Sequence, residues 1–517
     1  MSDTSAAGGF RPANLPLTVL GLGGATFMQI LDSTIANVSL PTIAGNLGAS
    51  AQQGTWVVTA FSASMAIAMP LTGWLSKRLG EVRLFLLCTS LFTLMSFMCG
   101  ISRNMTTLII FRALQGAVAG PLFPIVQSLM ISIFPASKRT MALALVSMIT
   151  IVAPILGPIL GGWITDDYSW PWIFFINVPL GFIACFIVWS QMRHRPDPPQ
   201  KIKMDYVGLI TLILWVGCLQ VLLDTGNDED WFESKFIITL AITSAISFAV
   251  FVIWELTDDN PIVDLRIFRH RNFSFAAFSY MIAYGSFMGG GLLVPLWLQT
   301  QMHYTSFMSG LAMAPMGLFP VFMTPIVGKY ASRFDLRSLV TVSILVMGYQ
   351  FYLRSEFNTD VTFERVAFIQ FCQGFGIGMF FMPLVTIMLS DLNHDEIANG
   401  SGLGSFVRTV GGSFMISIVT YLWNHRAVVH HAHLAEKFSP YNLHTQGVLV
   451  AAGRGKEQQA MAAVDGMITQ QAFQIAFNEV FLLLTGMLTL IIVFMWFTKP
   501  PFMKNAAKPE AAPSEGH

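Results

Sequence analysis

The sequence predicts an all-α integral membrane protein of fourteen transmembrane helices, in which two six-helix bundles flank two additional central helices. Three observations carry this prediction: an apolar composition, apolar segments of membrane-spanning length, and an internal repeat. Of the 517 residues, 54% are hydrophobic and only 11% are charged, whereas soluble proteins carry about 25% charged residues. The mean hydropathy is +0.60. A soluble fold of this length would need far more polar surface.

Apolar segments of about 20 residues, the length that crosses a bilayer as a helix, recur along the whole chain. They lie near residues 15–37, 55–74, 84–101, 107–132, 141–163, 171–190, 206–223, 236–254, 274–298, 309–328, 338–353, 366–390, 399–421 and 475–497. All the cysteines fall inside these spans, so we expect buried thiols and no disulfide framework. They are Cys88, Cys99, Cys185, Cys218 and Cys372.

The distribution of Lys and Arg predicts that both termini are cytoplasmic. Most of the 29 basic residues fall in the tails and in alternate connectors, which the positive-inside rule assigns to the cytoplasm. The short outside connectors contain only Arg103, Lys235, Arg354 and Arg365. Residues 1–16 lack the basic region and cleavage site of a signal peptide, so we expect the first span to be retained.

An internal repeat divides the chain. With an offset of about 255 residues, PLTGWLSKRLG (70–80) aligns with PIVGKYASRFD (325–335), and Gln115-Gly116 aligns with Gln373-Gly374. Parallel repeats of this kind place a substrate site between the halves near the midplane. The predicted divisions are an N-terminal tail (1–14), an N-terminal six-helix bundle (15–200), two additional helices (201–260), a C-terminal six-helix bundle (261–498) with a periplasmic loop at 424–473, and a cytoplasmic tail (499–517).

Five motifs appear in a characteristic order. They are LDSTIANVSLP (31–41), GWLSKRLGEVRL (73–84), FRALQG (111–116), APILGPILGG (153–162) and WPWIFFINVP (170–179). With them the chain resembles the major facilitator superfamily and, within it, the fourteen-span drug:H⁺ antiporters. The resemblance implies the major facilitator fold and proton-coupled export of lipophilic drugs across a bacterial inner membrane. It implies no enzymatic activity, no cofactor beyond the proton gradient and no bound metal.

Other functions stay open at this point. The cargo of an exporter is equally compatible with an endogenous lipid, a bile salt or a fatty acid, and a membrane sensor with a transporter fold is the alternative outside transport. An ATP-driven pump is disfavoured because the sequence has no G-x-x-x-x-G-K-[ST] phosphate loop. By resemblance, the partners are a periplasmic adaptor protein of the EmrA type and, through it, an outer-membrane channel of the TolC type.

Asp32 is the leading candidate for the proton carrier. A carboxylate in a low-dielectric environment takes up a proton, pairs with a cation or faces an aqueous cavity. Helical spacing places Asp32 on one face with Met28, Gln29 and Ala36, which we expect to point to the cavity. The alternative role is a structural hydrogen-bond acceptor for a Ser or Asn on a neighbouring helix.

Two arginines supply positive charge inside predicted spans. Arg112 is the superfamily's arginine of the fourth span by resemblance, and it would lower the proton affinity of a nearby carboxylate. Its alternative role is to hold backbone carbonyls at helix ends. Arg408 in SFVRTVGG allows the same two interpretations, and Glu479 near the last span joins the proton path or sits at the membrane interface.

The remaining candidate residues follow from motifs and shared faces. The fifth span contains a predicted hinge that kinks and seals against a neighbour from the other half; it consists of Pro154, Gly157, Pro158, Gly161 and Gly162. The cytoplasmic gating motif contributes Gly73, Arg78, Gly80 and Arg83, but Ser76 and Lys77 stand where the family usually has an Asp, and Ala144 and Ala153 replace glycines in the fifth span. The candidate substrate-binding residues are Met28, Gln29, Gln115, Phe123 and Gln373.

The predicted outside loop is rich in histidine. It contains His425, His430, His431, His433 and His444. A metal site is disfavoured against a solvated loop helix, because no acidic or Cys partner sits at a ligand spacing. A loop of this length usually has a function, and by resemblance that function is contact with the adaptor.

Overall fold

The computed structural model shows an all-helical chain in the residues that it describes. These are residues 12–49, 51–135, 138–197, 199–200, 203–226, 229–259, 261–330, 334–393, 396–436, 457–500 and 502. The N-terminal half contains α1 (Leu15–Asn46), α2 (Ala51–Ala68), α3 (Thr72–Leu79), α4 (Glu81–Gly100), α5 (Met105–Ala119), α6 (Leu122–Ile133), α7 (Arg139–Asp167), α8 (Trp172–Phe175) and α9 (Asn177–Met192).

The chain continues with two linker helices and the C-terminal half. These are α10 (Tyr206–Thr225), α11 (Lys235–Thr257), α12 (Arg271–Thr300), α13 (Ser306–Met313), α14 (Leu318–Tyr330), α15 (Leu336–Arg354), α16 (Phe363–Leu389), α17 (Ile397–Glu436) and α18 (Glu457–Met495). Short 3₁₀ turns occur at Trp231–Glu233, Leu265–Arg269 and Ala314–Gly317.

The number of spans agrees with the sequence prediction. In the described part of the chain, 12 helices are long and apolar enough to cross a membrane, or up to 14 if each of two bent helix pairs is one span. One bent pair is α2 with α3, which meet at 63°. The other lies within α7, where residues 141–154 and 159–165 meet at 42°. The five cysteines are all free thiols within helices, as predicted.

Helix packing supports the internal repeat. A Cβ on Gly116 of α5 would lie 2.2 Å from the carbonyl oxygen of Phe61 in α2, and a Cβ on Gly374 of α16 would lie 2.3 Å from that of Met316. Only glycine permits backbones to approach this closely. Both halves therefore use a glycine at the same place in the repeat for a close backbone contact: Gly116 with α2, and Gly374 with the 3₁₀ turn that joins α13 and α14.

The linker helices occupy the seam between the halves. α10 packs on α11 and also contacts α2 of the first half and α17 of the second. The Ser417 hydroxyl of α17 donates to the Leu223 carbonyl of α10, and the rings of Trp215 and Phe406 lie 5.5 Å apart. The exact domain limits given above stay predictions.

Candidate functional site

Asp32 and Arg112 form an ion pair inside the N-terminal half. The Arg112 Nη1 donates to Asp32 Oδ2 at 2.6 Å, and both side chains are completely buried. Asn177 Nδ2, from the start of α9, donates to the other carboxylate oxygen at 2.6 Å. Three helices therefore meet at one carboxylate. An ion pair removed from water is stable only when its geometry and its additional hydrogen bonds offset the desolvation of both charges.

Arg112 has further partners besides the carboxylate. Its Nε donates to the Val57 carbonyl of α2 at 3.2 Å, and its Nη1 also donates to Gln115 Oε1 at 2.9 Å. The guanidinium carbon lies 4.1 Å from the ring centre of Phe61 and 5.6 Å from that of Phe174. Both sequence interpretations of Arg112 are thus present in the geometry: it pairs with Asp32, and it holds a backbone carbonyl.

Sequence reasoning missed Asn177. Its Nδ2 also donates to the Ser96 hydroxyl at 2.9 Å, and that hydroxyl donates to the Phe174 carbonyl at 2.9 Å. The signal was an amide side chain inside the apolar motif WPWIFFINVP. The alternative role of Asp32 included a Ser or Asn partner on a neighbouring helix but did not specify which residue. Asn177 links α4, α8 and α9 to the carboxylate.

The C-terminal half contains a second buried arginine, which corrects the prediction for Arg354. The positive-inside rule placed this residue in an outside connector, but its side chain lies within the bundle and the residue is only 2% exposed. Its Nη2 donates to Gln370 Oε1 at 2.8 Å and also to Gln373 Oε1. The rings of Phe351 and Phe481 flank the guanidinium. Burial is possible because Arg354 is the last residue of α15 and α16 presents two amide oxygens to it.

Arg408 lies where the two halves meet. Its guanidinium carbon is 4.5 Å from the ring centre of Phe123 in α6, and 4.9 Å and 5.6 Å from those of Tyr284 and Tyr280 in α12. Its Nη1 donates to the Tyr280 hydroxyl at 3.2 Å. No carboxylate of the described residues pairs with it. The partners of Arg408 are therefore aromatic rings and one phenol.

The candidate substrate-binding residues separate into different surroundings. Met28 and Gln29 are buried on α1, and Gln29 Nε2 lies 3.3 Å from Met65 Sδ. Phe123 contacts Arg408, while Gln115 and Gln373 accept bonds from Arg112 and Arg354 as described above. Their roles in substrate binding stay predictions, and Phe123 is the one that lies between the halves.

The predicted hinge in α7 bends, but its glycines face a different neighbour from the one expected. A Cβ on Gly157 would lie 2.1 Å from the Thr34 hydroxyl, and one on Gly161 would lie 2.6 Å from the Ile35 carbonyl oxygen. Both partners belong to α1 of the same half, so these two glycines do not make the predicted contact of this helix with the other half. The other half also packs on α7: the Ala144 Cβ lies 2.8 Å from an ideal Cβ on Gly328 of α14, and Ile159 Cγ1 lies 3.6 Å from one on Gly310 of α13. Small residues permit a close approach but do not specify which helix approaches.

The remaining hinge residues also lie on α7. Pro154 and Gly162 are partly buried on α7. Pro158 is part of the helical backbone, and its side chain lies outside the described residues.

The cytoplasmic gating motif forms contacts at the ends of α3 and α4. Gly73 has no space for a side chain because Asn399 of α17 occupies it. Gly80 has a φ of 89°, which favours glycine, and Asp197 accepts from the Val82 N–H at 3.0 Å beside it. Arg78 and Arg83 are exposed. The motif thus joins the N-terminal half to α17 of the other half.

Acidic and basic groups missed by the motif analysis complete this end of the bundle. Glu81 pairs with Arg195 at 2.7 Å and accepts from the Ser128 hydroxyl at 2.5 Å. Arg195 and Asp197 lie outside the recognised motifs, so no local pattern marked them.

Glu479 pairs with residues of α17 on the predicted outside face. Arg426 binds both of its carboxylate oxygens, at 2.6 Å and 2.8 Å, and His430 Nε2 lies 3.1 Å from one of them. His431 contacts Asp465 of α18 at 3.1 Å. The predicted loop is thus largely helical, because α17 continues to Glu436 and α18 begins at Glu457; His444 lies outside the described residues.

Comparisons with known proteins agree with this architecture. The family model "Major Facilitator Superfamily" matches residues 22–416. The chain is 48% identical to the "Multidrug export protein EmrB" of Haemophilus influenzae, over 94% of this chain and 96% of the relative. It is 46% identical to the protein of the same name from Escherichia coli K12, over 95% and 96%.

A third relative carries a different name. The chain is 44% identical to the "Fatty acid resistance protein FarB" of Neisseria gonorrhoeae, over 95% of this chain and 97% of the relative. The crystal structure of the human organic anion transporter MFSD10 (TETRAN) has the same fold, with a TM-score of 0.54, 12% identity and coverage of 92% of this chain and 98% of that one. The chain therefore belongs to the major facilitator superfamily and, within it, to the EmrB-like group of fourteen-span transporters.

Proposed function

We propose that this protein is a proton-coupled antiporter that exports lipophilic compounds across the bacterial inner membrane, with both termini in the cytoplasm. The observation that carries the proposal is the buried Asp32–Arg112 pair with Asn177 as a third partner. Intramembrane ionisable groups are costly and mark proton or substrate pathways. The names of the relatives, two multidrug export proteins and a fatty acid resistance protein, support an export function.

The geometry provides a way to couple protonation to movement. A proton on Asp32 removes the negative charge that holds Arg112 Nη1, while the Val57 carbonyl and Gln115 continue to hold the guanidinium. Because the carboxylate belongs to α1 and the guanidinium to α5, protonation weakens one helix contact selectively. A cycle that alternates between the paired and the protonated state then couples proton entry to a change in how α1 packs.

The test is substrate-induced proton movement in everted membrane vesicles. We expect a lipophilic substrate to collapse part of the proton gradient with the wild type and not with Asp32→Asn. Glu364→Gln, which neutralises an exposed carboxylate at the start of α16, is the matched control and should behave like the wild type. Proton movement with Asp32→Asn equal to that of the wild type would rule out Asp32 as the proton carrier, and Glu479 and Asp391 would become the candidates. No substrate-dependent proton movement in the wild type would favour the sensor alternative.

We further propose that α17 and α18 form the docking site for a periplasmic adaptor protein of the EmrA type, which would connect to an outer-membrane channel of the TolC type. At 40 and 39 residues, these helices are roughly twice the length needed to cross the about 30 Å hydrocarbon core. The pair of His431 with Asp465 holds them together beyond the predicted spans, and the pair of Arg426 with Glu479 joins them at the predicted outer end of the last span. A packed helical pair is a rigid surface for a partner.

Photo-crosslinking tests the adaptor proposal. A crosslinking amino acid at Val428, which is 70% exposed on α17, should capture the co-expressed adaptor. The same group at Leu94, which is 44% exposed on α4, is the control and should contact lipid alone. Equal capture from both positions, or from neither, would contradict the proposed docking site.

A further inference from the structure

The three buried arginines differ in how completely their charge is compensated. Arg112 has a carboxylate, a backbone carbonyl and an amide oxygen, and Arg354 has two amide oxygens. Arg408 has one polar partner, the Tyr280 hydroxyl, and its Nε is buried without any hydrogen-bond partner. Arg112 Nη2 is likewise unpartnered, but Arg112 already has the carboxylate of Asp32. A guanidinium has five N–H donors and stays charged. Arg408 is therefore the buried cation with the largest unused capacity to bind an anion.

The location of Arg408 matches a substrate site. Phe123 comes from the N-terminal half and both tyrosines come from the C-terminal half, so the guanidinium lies between the repeats, where parallel-repeat transporters bind substrate. Toward the predicted cytoplasmic side, the Ser401 hydroxyl donates to Gln127 Oε1 and joins the halves again. Arg408 thus lies above a contact that closes the seam between α6 and α17.

The surroundings fit a ligand with one charge and an apolar body. Aromatic faces stabilise a desolvated guanidinium, but they carry no formal negative charge that would neutralise it. An incoming anion would add the missing charge compensation, while the rings of Phe123, Tyr284 and the nearby Phe381 offer apolar contact area. We infer that Arg408 binds the anionic group of lipophilic monoanionic substrates, with these rings contacting the apolar remainder.

This inference rests on the proposed export function and changes the role predicted for Arg408 from proton coupling to substrate recognition. The ring of Phe123 and the anion would compete for the same guanidinium. Anion binding therefore weakens the contact of Phe123 with Arg408, which joins the two halves. A substrate would then bind more tightly to the arrangement of the bundles in which this contact is broken than to the one in which it is formed.

Equilibrium binding to the full-length protein in nanodiscs tests the inference, with empty nanodiscs as the correction for partition into lipid. The probes are laurate and its neutral methyl ester. The wild type should prefer laurate by at least about tenfold, and Arg408→Gln should abolish that preference. Arg408→Lys, which keeps the charge, should retain part of it.

The control is Arg354→Gln, which removes a buried guanidinium whose ring contacts are Phe351 and Phe481, not the rings around Arg408, and which should leave the preference as in the wild type. Ester binding by Arg408→Gln shows that the variant is folded. An unchanged preference in Arg408→Gln, or an equal loss in Arg354→Gln, overturns the inference.

The outcome is separable from that of the proposed function because binding needs no gradient. Loss of laurate preference in Arg408→Gln without proton movement in wild-type vesicles would support the anion site and refute antiport. Proton movement in wild-type vesicles, together with an unchanged laurate preference in Arg408→Gln, would support antiport and refute the anion site.

Discussion

Each half of the molecule buries one guanidinium beside an equivalent glutamine, but the two guanidinium groups have different partners. Gln115 and Gln373 occupy equivalent places in the repeat, and each accepts a hydrogen bond from a buried guanidinium. In the first half the arginine is Arg112, on the same helix as its glutamine. In the second half it is Arg354, on the preceding helix. The repeat therefore preserves the position of the positive charge but not the residue that supplies it.

Among the described residues of the two halves, by contrast, a fully buried carboxylate occurs in the N-terminal half alone. At the offset of the repeat, the position of Asp32 on α1 corresponds to Phe287 on α12, a buried aromatic residue. In the same alignment, Cys99 of the N-terminal half lies where the C-terminal half has Arg354. Gln370 of the C-terminal half lies where the N-terminal half has Arg112. If the proposed function is correct, we expect proton coupling to depend on the N-terminal half and the guanidinium of the C-terminal half to have a structural role. Four predictions test this comparison of the two halves.

The largest effect is expected from Arg112→Gln. Removal of one partner leaves Asp32 as an uncompensated buried charge, which costs roughly 3–5 kcal/mol. We expect little folded protein and no proton-coupled export. The double variant Asp32→Asn with Arg112→Gln should recover most of the stability, measured by thermal unfolding in detergent, without recovering export. A double variant no more stable than Arg112→Gln would show that the pair does not account for the loss.

Arg354→Gln should have a smaller effect. Within the residues that the structure describes, no carboxylate pairs with Arg354. Its removal leaves the oxygens of Gln370 and Gln373 without this donor, at a cost of roughly 1–3 kcal/mol. We expect export per folded molecule to match the wild type in the vesicle assay. A loss of proton coupling as complete as that of Asp32→Asn would break the proposed division between the halves.

Gly116 and Gly374 test the close backbone contact that both halves share. Gly116→Ala and Gly374→Ala place a Cβ against a backbone carbonyl, and overpacking of this kind costs typically about 1–3 kcal/mol. We expect similar decreases in melting temperature for both variants. Gly348→Ala on α15 is the control, because its Cβ would meet nothing within 4 Å. Strongly unequal decreases would show that the two contacts are not equivalent.

Local patterns explain why much of this could be predicted from the sequence. Apolar length predicted the spans, and a charge inside an apolar segment marked Asp32 and Arg112. Arg354 was missed because it is the last residue of its span, where the positive-inside rule interprets a charge as part of a connector. The glycines of α7 predicted a close helix contact, but the identity of the partner depends on tertiary packing. The same holds for Asn177, whose importance arises from a carboxylate 145 residues away.

The smallest effect is expected at the ion pair of Arg426 with Glu479. Its geometry is as short as that of the buried pair, at 2.6 Å, but the two side chains are 42% and 38% exposed. Water screens such a pair, and exposed ion pairs contribute about 0–1 kcal/mol. Arg426→Gln should therefore leave the melting temperature nearly unchanged and should still support export in vesicles, where no adaptor is needed. If Arg426→Gln instead lost as much stability as Arg112→Gln, burial would not be the property that distinguishes the two pairs, and the case for Asp32 as the coupling carboxylate would lose its physical basis.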